Sequence, residues 1–220
     1  MNLSEADPRP TLRHGSGEKP IVYVVDDDDA VRVSLERLIR QAGWQTNLFA
    51  TAGEFLAYPR CPMPSCLLLD VTLPDLSGLD VQEMLAGQRE LPIIFMTGYG
   101  DVPTTVRAMK AGAVEFLVKP CSDELLRAIP RALEISANAL RDQARLKVLD
   151  SRYSYLSPRE REVMERIVSG QLNKQVALDL GITEGTIKVH RFNVMRKMRA
   201  DSFADLVEMA SRLRISPGRW

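Results

Sequence analysis

Short apolar runs alternate with helical patterns of apolar positions over roughly the first 120 residues that carry any periodicity. IVYVV (21–25) is an unbroken run of β-branched and aromatic residues, as a strand buried on both faces requires. Val31, Leu35, Leu38, Ile39 and Ala42 then share one helical face, and Gly43 supplies the stop. QTNLF (45–49) reads as a more exposed strand, and Thr51 with Glu54 predicts the capping box of a short helix ending at Tyr58-Pro59. CLLLD (66–70), PIIFMT (92–97) and VEFLV (114–118) are three more strands. Helices follow them, one from Ser77 carrying Val81, Met84 and Leu85, and one opened by Pro103 that runs through Ala108 and Met109. The third starts at Ser122 with an acidic first turn, Asp123 and Glu124. Strand-then-helix repetition of this kind predicts a doubly wound α/β domain with a five-stranded parallel sheet.

The periodicity changes after Ser122. It stays helical to Lys147, with Leu133, Ala137, Leu140 and Ala144 spaced 4-3-4. That spacing suits either a linker helix that pairs with a second copy or a solvated single helix. Pro130 is expected to kink this helix or end its first part. From Ser157 onward every pattern is helical. Ser157-Pro158-x-Glu160 predicts a capped start, Gly170 a stop, Asn173 the cap of a short helix over 174–180, and Gly181 its end. Thr183 caps a longer helix over 184–198, and Ser202 caps a last one. A short helix, a tight Gly-containing turn and a longer basic helix form the helix-turn-helix pattern. The small C-terminal domain is therefore expected to be all-α with four helices.

The zero net charge conceals a division. Residues 1–150 carry 16 Lys/Arg against 21 Asp/Glu, and residues 151–220 carry 13 against 8. An acidic front and a basic back suggest two modules, the second suited to a polyanion. No apolar run has the roughly 18–20 residues of a membrane helix, and no membrane partner is expected. The polar stretch 1–19 has no apolar centre and reads as a disordered tail rather than a secretory signal. Cys61, Cys66 and Cys121 lack metal-ligand spacing and are odd in number, which points to a reducing cytosol and away from disulfides. The expected domains are 20–138, a helical linker 139–152, and 153–220.

In a doubly wound sheet, ligands bind at the carboxyl ends of the strands. Asp26 and Asp27 stand there after the first strand, Asp70 after the third, Thr97 after the fourth and Lys119 after the fifth. Asp28 and Asp29 begin a helix and read as capping or solvated groups. Carboxylates this close call for a cation, and hard oxygen ligands favour Mg²⁺, with Mn²⁺ a possible substitute. A carboxylate nucleophile, a metal, a hydroxyl and an ammonium are the parts of a phosphoryl-transfer site.

VVDDDDAVR, LLLDVTLPDLSGLD, FMTGYGD and FLVKP resemble the receiver domain of bacterial two-component response regulators. LSPREREVMERIVSGQLNKQVALDLGITEGTIKVHR resembles the LuxR-type helix-turn-helix. Together they are similar to the NarL/FixJ family, and AMKAGAVEFLVKP, NKQVA and KVHRFNVMRKM point to its FixJ-like branch. The resemblance covers about residues 20–215. It implies strand order 2-1-3-4-5, Asp70 as phosphoacceptor, and Asp26, Asp27, Asp70 and the backbone carbonyl of Thr72 as the Mg²⁺ shell. Thr97 and Lys119 would bind the phosphoryl group, and Phe116 would be the aromatic switch, although it also fits a core aromatic. A sensor histidine kinase, promoter DNA, RNA polymerase and a second copy in the phosphorylated state are the implied partners, and the implied outcome is regulated, expectedly activated, transcription without enzymatic turnover. Two positions depart from the FixJ-like pattern: Thr72 stands where a basic or other polar residue is usual, and Tyr99 where His is usual.

In the long basic helix, Ile187, His190, Val194 and Met198 make an inward stripe. The resemblance places Lys188, Val189 and Phe192 against base edges, where Phe192 offers contact to a thymine methyl. Lys174, Arg191, Arg196 and Lys197 suit phosphates, and His190, Thr183 and Thr186 complete the expected DNA contacts. Leu206, Val207, Ala210 and Leu213 form either a dimer seam or the inner face of the last helix. A haloacid-dehalogenase-like phosphatase would need an acid where Thr72 stands. A silent dimerisation module on a DNA-binding protein would not need all five site residues.

Overall fold

The computed structural model describes residues 19–215. The expected tail lies, apart from Lys19, outside the described residues. The chain divides into two compact units between Leu140 and Arg141, so most of the residues expected as a linker are counted with the second.

The first unit holds β1 (Ile21–Val25), β2 (Gln45–Phe49), β3 (Ser65–Asp70), β4 (Ile93–Thr97) and β5 (Glu115–Val118), all parallel, in the order β2-β1-β3-β4-β5. Central strands β1, β3 and β4 are buried throughout, which explains their continuous apolar runs. Between them run α1 (Asp29–Gln41), α2 (Ala52–Ala57), α3 (Gly78–Met84) and α4 (Val102–Lys110). Alternating strand residues feed two cores. Tyr23, Val25, Leu67, Leu69 and Phe95 lie in one, with Phe49 and Phe55; Val22, Val24, Leu68, Ile94 and Met96 lie in the other, with Leu125, Ile129 and Leu133.

The helix starts show which local signals act. Asp28 caps α1, accepting from Ala30 N at 2.8 Å and Val31 N at 3.2 Å. Thr51 caps α2 by accepting from Glu54 N, but the expected box does not close, because the Glu54 carboxylate takes Ala50 N instead. Val81 and Leu85 face inward as expected, whereas Met84 is exposed. Gly78 is required by contact rather than by its dihedral angle: a Cβ there would collide with the Asp70 carbonyl oxygen and lie 3.1 Å from the Phe95 ring.

One helix, α5, runs from Ser122 to Ser154 with Pro130 inside it, so the proline does not end it. The expected 4-3-4 stripe is divided in its duties. Leu133 is fully buried in the first unit's core and is unavailable to a second copy, while Ala144 is exposed. Ser136, also fully buried, accepts from Ser65 N at 2.9 Å and donates to Glu90 O at 2.5 Å, stitching α5 to the start of β3 and the approach to β4.

The second unit contains α6 (Pro158–Val168), α7 (Asn173–Leu180), α8 (Glu184–Met198) and α9 (Phe203–Arg212). Ser157 closes the expected capping box with Glu160, and Gly181 ends α7 in the left-handed region at φ +64°. The cap of α7 differs from expectation. Leu172 occupies that position, the Gln175 side chain accepts its N–H at 2.8 Å, and Asn173 is already helical. Leu206 and Ala210 are buried and Leu213 packs against the same core, so this side of α9 is an inner face, with Val207 left partly exposed.

Ser136→Ala removes the hydroxyl that serves the buried Ser65 N–H and the part-buried Glu90 carbonyl, and an unsatisfied buried group costs about 1–3 kcal/mol. Urea unfolding of the full chain should show the first unit's transition weakened by about that amount and the second unit's unchanged.

Candidate functional site

The chemistry of the first unit gathers where the sequence placed it, at the carboxyl ends of the strands. Asp26 follows β1, Asp70 ends β3, Thr97 ends β4 and Lys119 follows β5. Asp26, Asp27 and Asp70 each offer a carboxylate oxygen within 4.8 Å of the others. Asp26 is fully buried, Asp70 nearly so, and Asp27 is exposed, so the cluster has a closed floor and an open side. The Lys119 ammonium lies between two of these acids, 2.5 Å from Asp26 Oδ2 and 2.6 Å from Asp70 Oδ2.

Backbone groups fix the remaining oxygens. Asp70 Oδ1 accepts from Thr72 N at 2.9 Å, and Asp26 Oδ1 accepts from Asp28 N at 3.1 Å. Lys119 N donates to Thr97 O at 2.8 Å and carries the ladder one residue past β5; the Lys119–Pro120 peptide is cis. Burial pushes the Asp26 carboxyl above the ordinary carboxylate range, against the pull of Lys119. Burial alone would lower the Lys119 ammonium, but the hydrogen bonds and charges of Asp26 and Asp70 outweigh it and hold the group above the usual lysine range.

Thr97 is close in sequence to its present partner. Its hydroxyl accepts from Tyr99 N at 3.2 Å and donates to Tyr99 O at 3.0 Å, and the Tyr99 side chain is almost wholly exposed. Phe116 is half-buried, its ring centroid 6.0 Å from that of Phe95. Two supports were not foreseen from the sequence. Arg32 donates to the Asp26 carbonyl at 2.7 Å, and Asp75 accepts from Gly53 N at 2.8 Å and Ala52 N at 3.2 Å, tying the segment after β3 to the start of α2. Arg32 stands in an ordinary helical position, and the partners of Asp75 lie more than 20 residues away, so neither leaves a local signal.

In the second unit, α8 buries Ile187, Val194 and Met198, leaves His190 half-buried, and exposes Lys188, Val189, Phe192 and Arg196. Thr183 caps the helix by accepting from Thr186 N, and the two threonine hydroxyls lie 2.9 Å apart. Lys174 is exposed on α7. Two residues expected on phosphates are committed inside the domain. Lys197 Nζ lies 2.6 Å from the buried carboxylate of Glu160. Arg191 donates to Asn173 Oδ1 at 3.1 Å while its guanidinium covers the Phe203 ring at 4.7 Å, so it brackets α7, α8 and α9.

Residues 22–131 match the family model for the response regulator receiver domain, and residues 154–210 match bacterial regulatory proteins of the luxR family. Response regulator protein TodT of Pseudomonas putida is 44% identical over 207 residues, covering 93% of this chain and 91% of TodT. Nodulation protein W of Bradyrhizobium diazoefficiens is 49% identical over 200 residues, covering 90% and 88%. The chain belongs to the FixJ-like two-component response regulators. Among solved structures, response regulator StyR aligns with TM-score 0.74 and 43% identity, over 89% of this chain and 100% of StyR. Full-length FixJ from B. japonicum aligns with TM-score 0.52 and 42% identity, over 89% and 97%. A FixJ-like response regulator is a transcription regulator and not an enzyme, so the phosphatase reading falls. Its receiver domain implies a histidine kinase as partner, and its LuxR-type domain implies DNA. Among the described residues, no helix is long and apolar enough to cross a membrane.

The Glu160–Lys197 pair gives the LuxR-type domain a pH dependence. Burial opposes ionisation of Glu160, but Lys197 and the Ser157 N–H outweigh it and hold the carboxyl below its ordinary range. A lowered folded-state pKa contributes stability that is complete above the unfolded value and is lost as pH falls through the folded one. Denaturant unfolding of the full chain between pH 7 and pH 3 should show this domain losing stability on acidification, with a shallower loss in Glu160→Gln.

Proposed function

We propose that Asp70 accepts a phosphoryl group from a sensor kinase and that the modified chain dimerises and binds promoter DNA to activate transcription. The observation that supports this best is the convergence of Asp26, Asp27 and Asp70 around Lys119 at the strand ends. One ammonium among three carboxylates leaves a surplus of negative charge, and an all-oxygen donor set open on the Asp27 side fits a hard divalent cation. Asp26, Asp27, Asp70 and the Thr72 carbonyl would hold Mg²⁺ or Mn²⁺, which when bound neutralises charge on the phosphoryl oxygens.

The chain's own groups account for the rest. A carboxylate oxygen of Asp70 forms the new P–O bond as the P–N bond to the donor imidazole breaks, and the imidazole leaves with the electron pair. The Thr72 N–H fixes one oxygen of Asp70 and so orients the nucleophile. The phosphoryl group then competes with Asp26 and Asp70 for the Lys119 ammonium. It also competes with Tyr99 for the Thr97 hydroxyl, which now bonds the Tyr99 backbone. Release of Tyr99, with Val102, Val106, Met109 and Val118 already exposed on α4 and β5, supports dimerisation through that face. In the second domain, Lys188, Val189 and Phe192 on α8 would meet base edges, Thr183, Thr186 and His190 would lie along them, and Lys174 and Arg196 would hold phosphates. Contact with RNA polymerase would follow from the same promoter position.

Asp70→Asn should abolish labelling by acetyl phosphate or a phosphorylated kinase, as should chelation of Mg²⁺. Beryllofluoride with Mg²⁺ should convert the wild-type chain from monomer to dimer in sedimentation; labelling of Asp70→Asn, or an unmoved monomer, would refute the scheme. Lys188→Ala should lose roughly 1–3 kcal/mol on the operator and much less on random duplex. Equal losses on both would make Lys188 a phosphate contact instead.

A further inference from the structure

The loop between β3 and α3 carries Thr72, whose carbonyl would join the acids around the cation, and the loop is held at its base and at its tip. Backbone pairs close the base: Val71 N donates to Met96 O at 3.1 Å, and Gly78 N donates to Val71 O at 2.9 Å. Asp75 holds the tip, its carboxylate spanning two successive N–H groups at the start of α2. Oδ1 accepts from Ala52 N at 3.2 Å and Oδ2 from Gly53 N at 2.8 Å. The Gly53 N–H above all, helped by that of Ala52, holds the Asp75 carboxyl below the ordinary carboxylate range. Such bonds to an ionised acceptor are stronger than neutral ones. Thr72 lies between these fixed points, and Pro74 stiffens the stretch that joins it to Asp75.

The donors belong to a segment that is itself anchored. Ala52 and Phe55 of α2 are fully buried, and Thr51 satisfies Glu54 N. Just upstream, the Glu54 carboxylate takes Ala50 N at 2.8 Å, and Phe49 O accepts from Asp26 N at 3.2 Å. Residues 49–53 therefore hold the backbone of Asp26 on one side and the loop of Thr72 on the other. Asp75 is exposed, whereas Leu73 and Leu76 pack the same loop against the core. The two leucines keep the loop on the protein, and the carboxylate fixes where its tip stands relative to Asp26.

We propose that Asp75 is a positioning residue for the divalent cation: by tying the β3–α3 loop to α2, it sets the Thr72 carbonyl against the carboxylates of Asp26 and Asp27. The inference rests on Asp26, Asp27, Asp70 and Thr72 holding that cation. Mg²⁺ demands near-ideal octahedral geometry with ligands at about 2.0–2.1 Å, so a carbonyl that drifts by a few tenths of an ångström is a poor ligand. Groups that orient metal ligands without touching the metal typically change its affinity by about 10–100-fold when removed. Asp75 acts in this way through the backbone, since its own oxygens are committed to Ala52 and Gly53.

The test measures metal affinity on the full chain, with Mn²⁺ as the probe and electron paramagnetic resonance reading the free ion. Asp75→Ala should weaken Mn²⁺ binding by about 10-fold or more, and Asp75→Asn, which keeps one acceptor, should fall between it and the wild type. Amide exchange at Ala52 and Gly53 should quicken in Asp75→Ala. Thr51→Ala, which loosens the cap of α2 without touching the loop, should keep the wild-type affinity. Unfolding midpoints are recorded for every variant, and Asp75→Asn serves alone if Asp75→Ala does not fold. Wild-type affinity in the Asp75 variants would overturn the positioning role. So would an equal loss in Thr51→Ala, which would mark the effect as general loosening of α2. Asp27→Asn is measured in parallel. Loss of binding there, with none in the Asp75 variants, would overturn the positioning role and leave the metal assignment intact. Unchanged binding in Asp27→Asn would place the cation elsewhere and overturn both.

Discussion

A lysine ammonium shared by two carboxylates organises the receiver domain. Asp26 and Asp70 stand at the ends of different strands, both are sheltered from water, and each would repel the other without Lys119 between them. The sheet order makes this arrangement available, because β3 lies beside β1 and β4, and β5 pairs with β4. Parallel strands end on the same edge, so residues more than 90 apart in the chain meet there. Everything else at the site serves that junction. Asp28 starts α1, Arg32 holds the loop that carries Asp26, and Gly78 lets the chain pass the Asp70 carbonyl without a clash.

The same junction is poised rather than satisfied. Asp26 is buried with a raised pKa, and Asp27 faces solvent beside it, so the acids keep a surplus of charge that the protein itself does not cancel. The Thr97 hydroxyl is hydrogen-bonded to the Tyr99 backbone, a local bond that a stronger acceptor can displace. Fixed groups thus surround the acids, while the exchangeable ones lie toward β4 and α4. The proposed switch needs no rearrangement of the sheet, only an exchange of acceptors at its edge.

Much of this was legible in the sequence because it depends on short-range pattern. Buried strands wrote themselves as unbroken apolar runs, and strand-end polar residues followed from the doubly wound topology. The charge division pointed to two modules, and Ser157 with Glu160 named a capping box that the structure closes. The failures share a cause. Leu133 kept a helical spacing that suited a second copy, but the nearby sheet of its own domain takes it. Asn173 looked like a cap, yet Arg191, 18 residues away, claims its side chain. Lys197 looked like a surface cation until the fold brought Glu160 to it. Met84 followed the helix pattern but points to solvent. Periodicity states that a side chain has a face; it does not state which neighbour meets it.

The bracket that Arg191 forms with Asn173 and Phe203 has a consequence for how such a protein can diversify. The groups that set the angle of α8 are Ile187, Val194 and Met198 in the core and Arg191 across the neighbouring helices. The groups proposed to meet bases, Lys188, Val189 and Phe192, are exposed and support none of that framework. Reading and holding are thereby assigned to different side chains of one helix. Exchange of the reading residues would leave the domain's stability nearly untouched, since exposed positions away from caps and networks move it by only about 0.5 kcal/mol. A duplicated copy of this gene could acquire a new operator preference through a few surface substitutions, each compatible with a folded protein along the way.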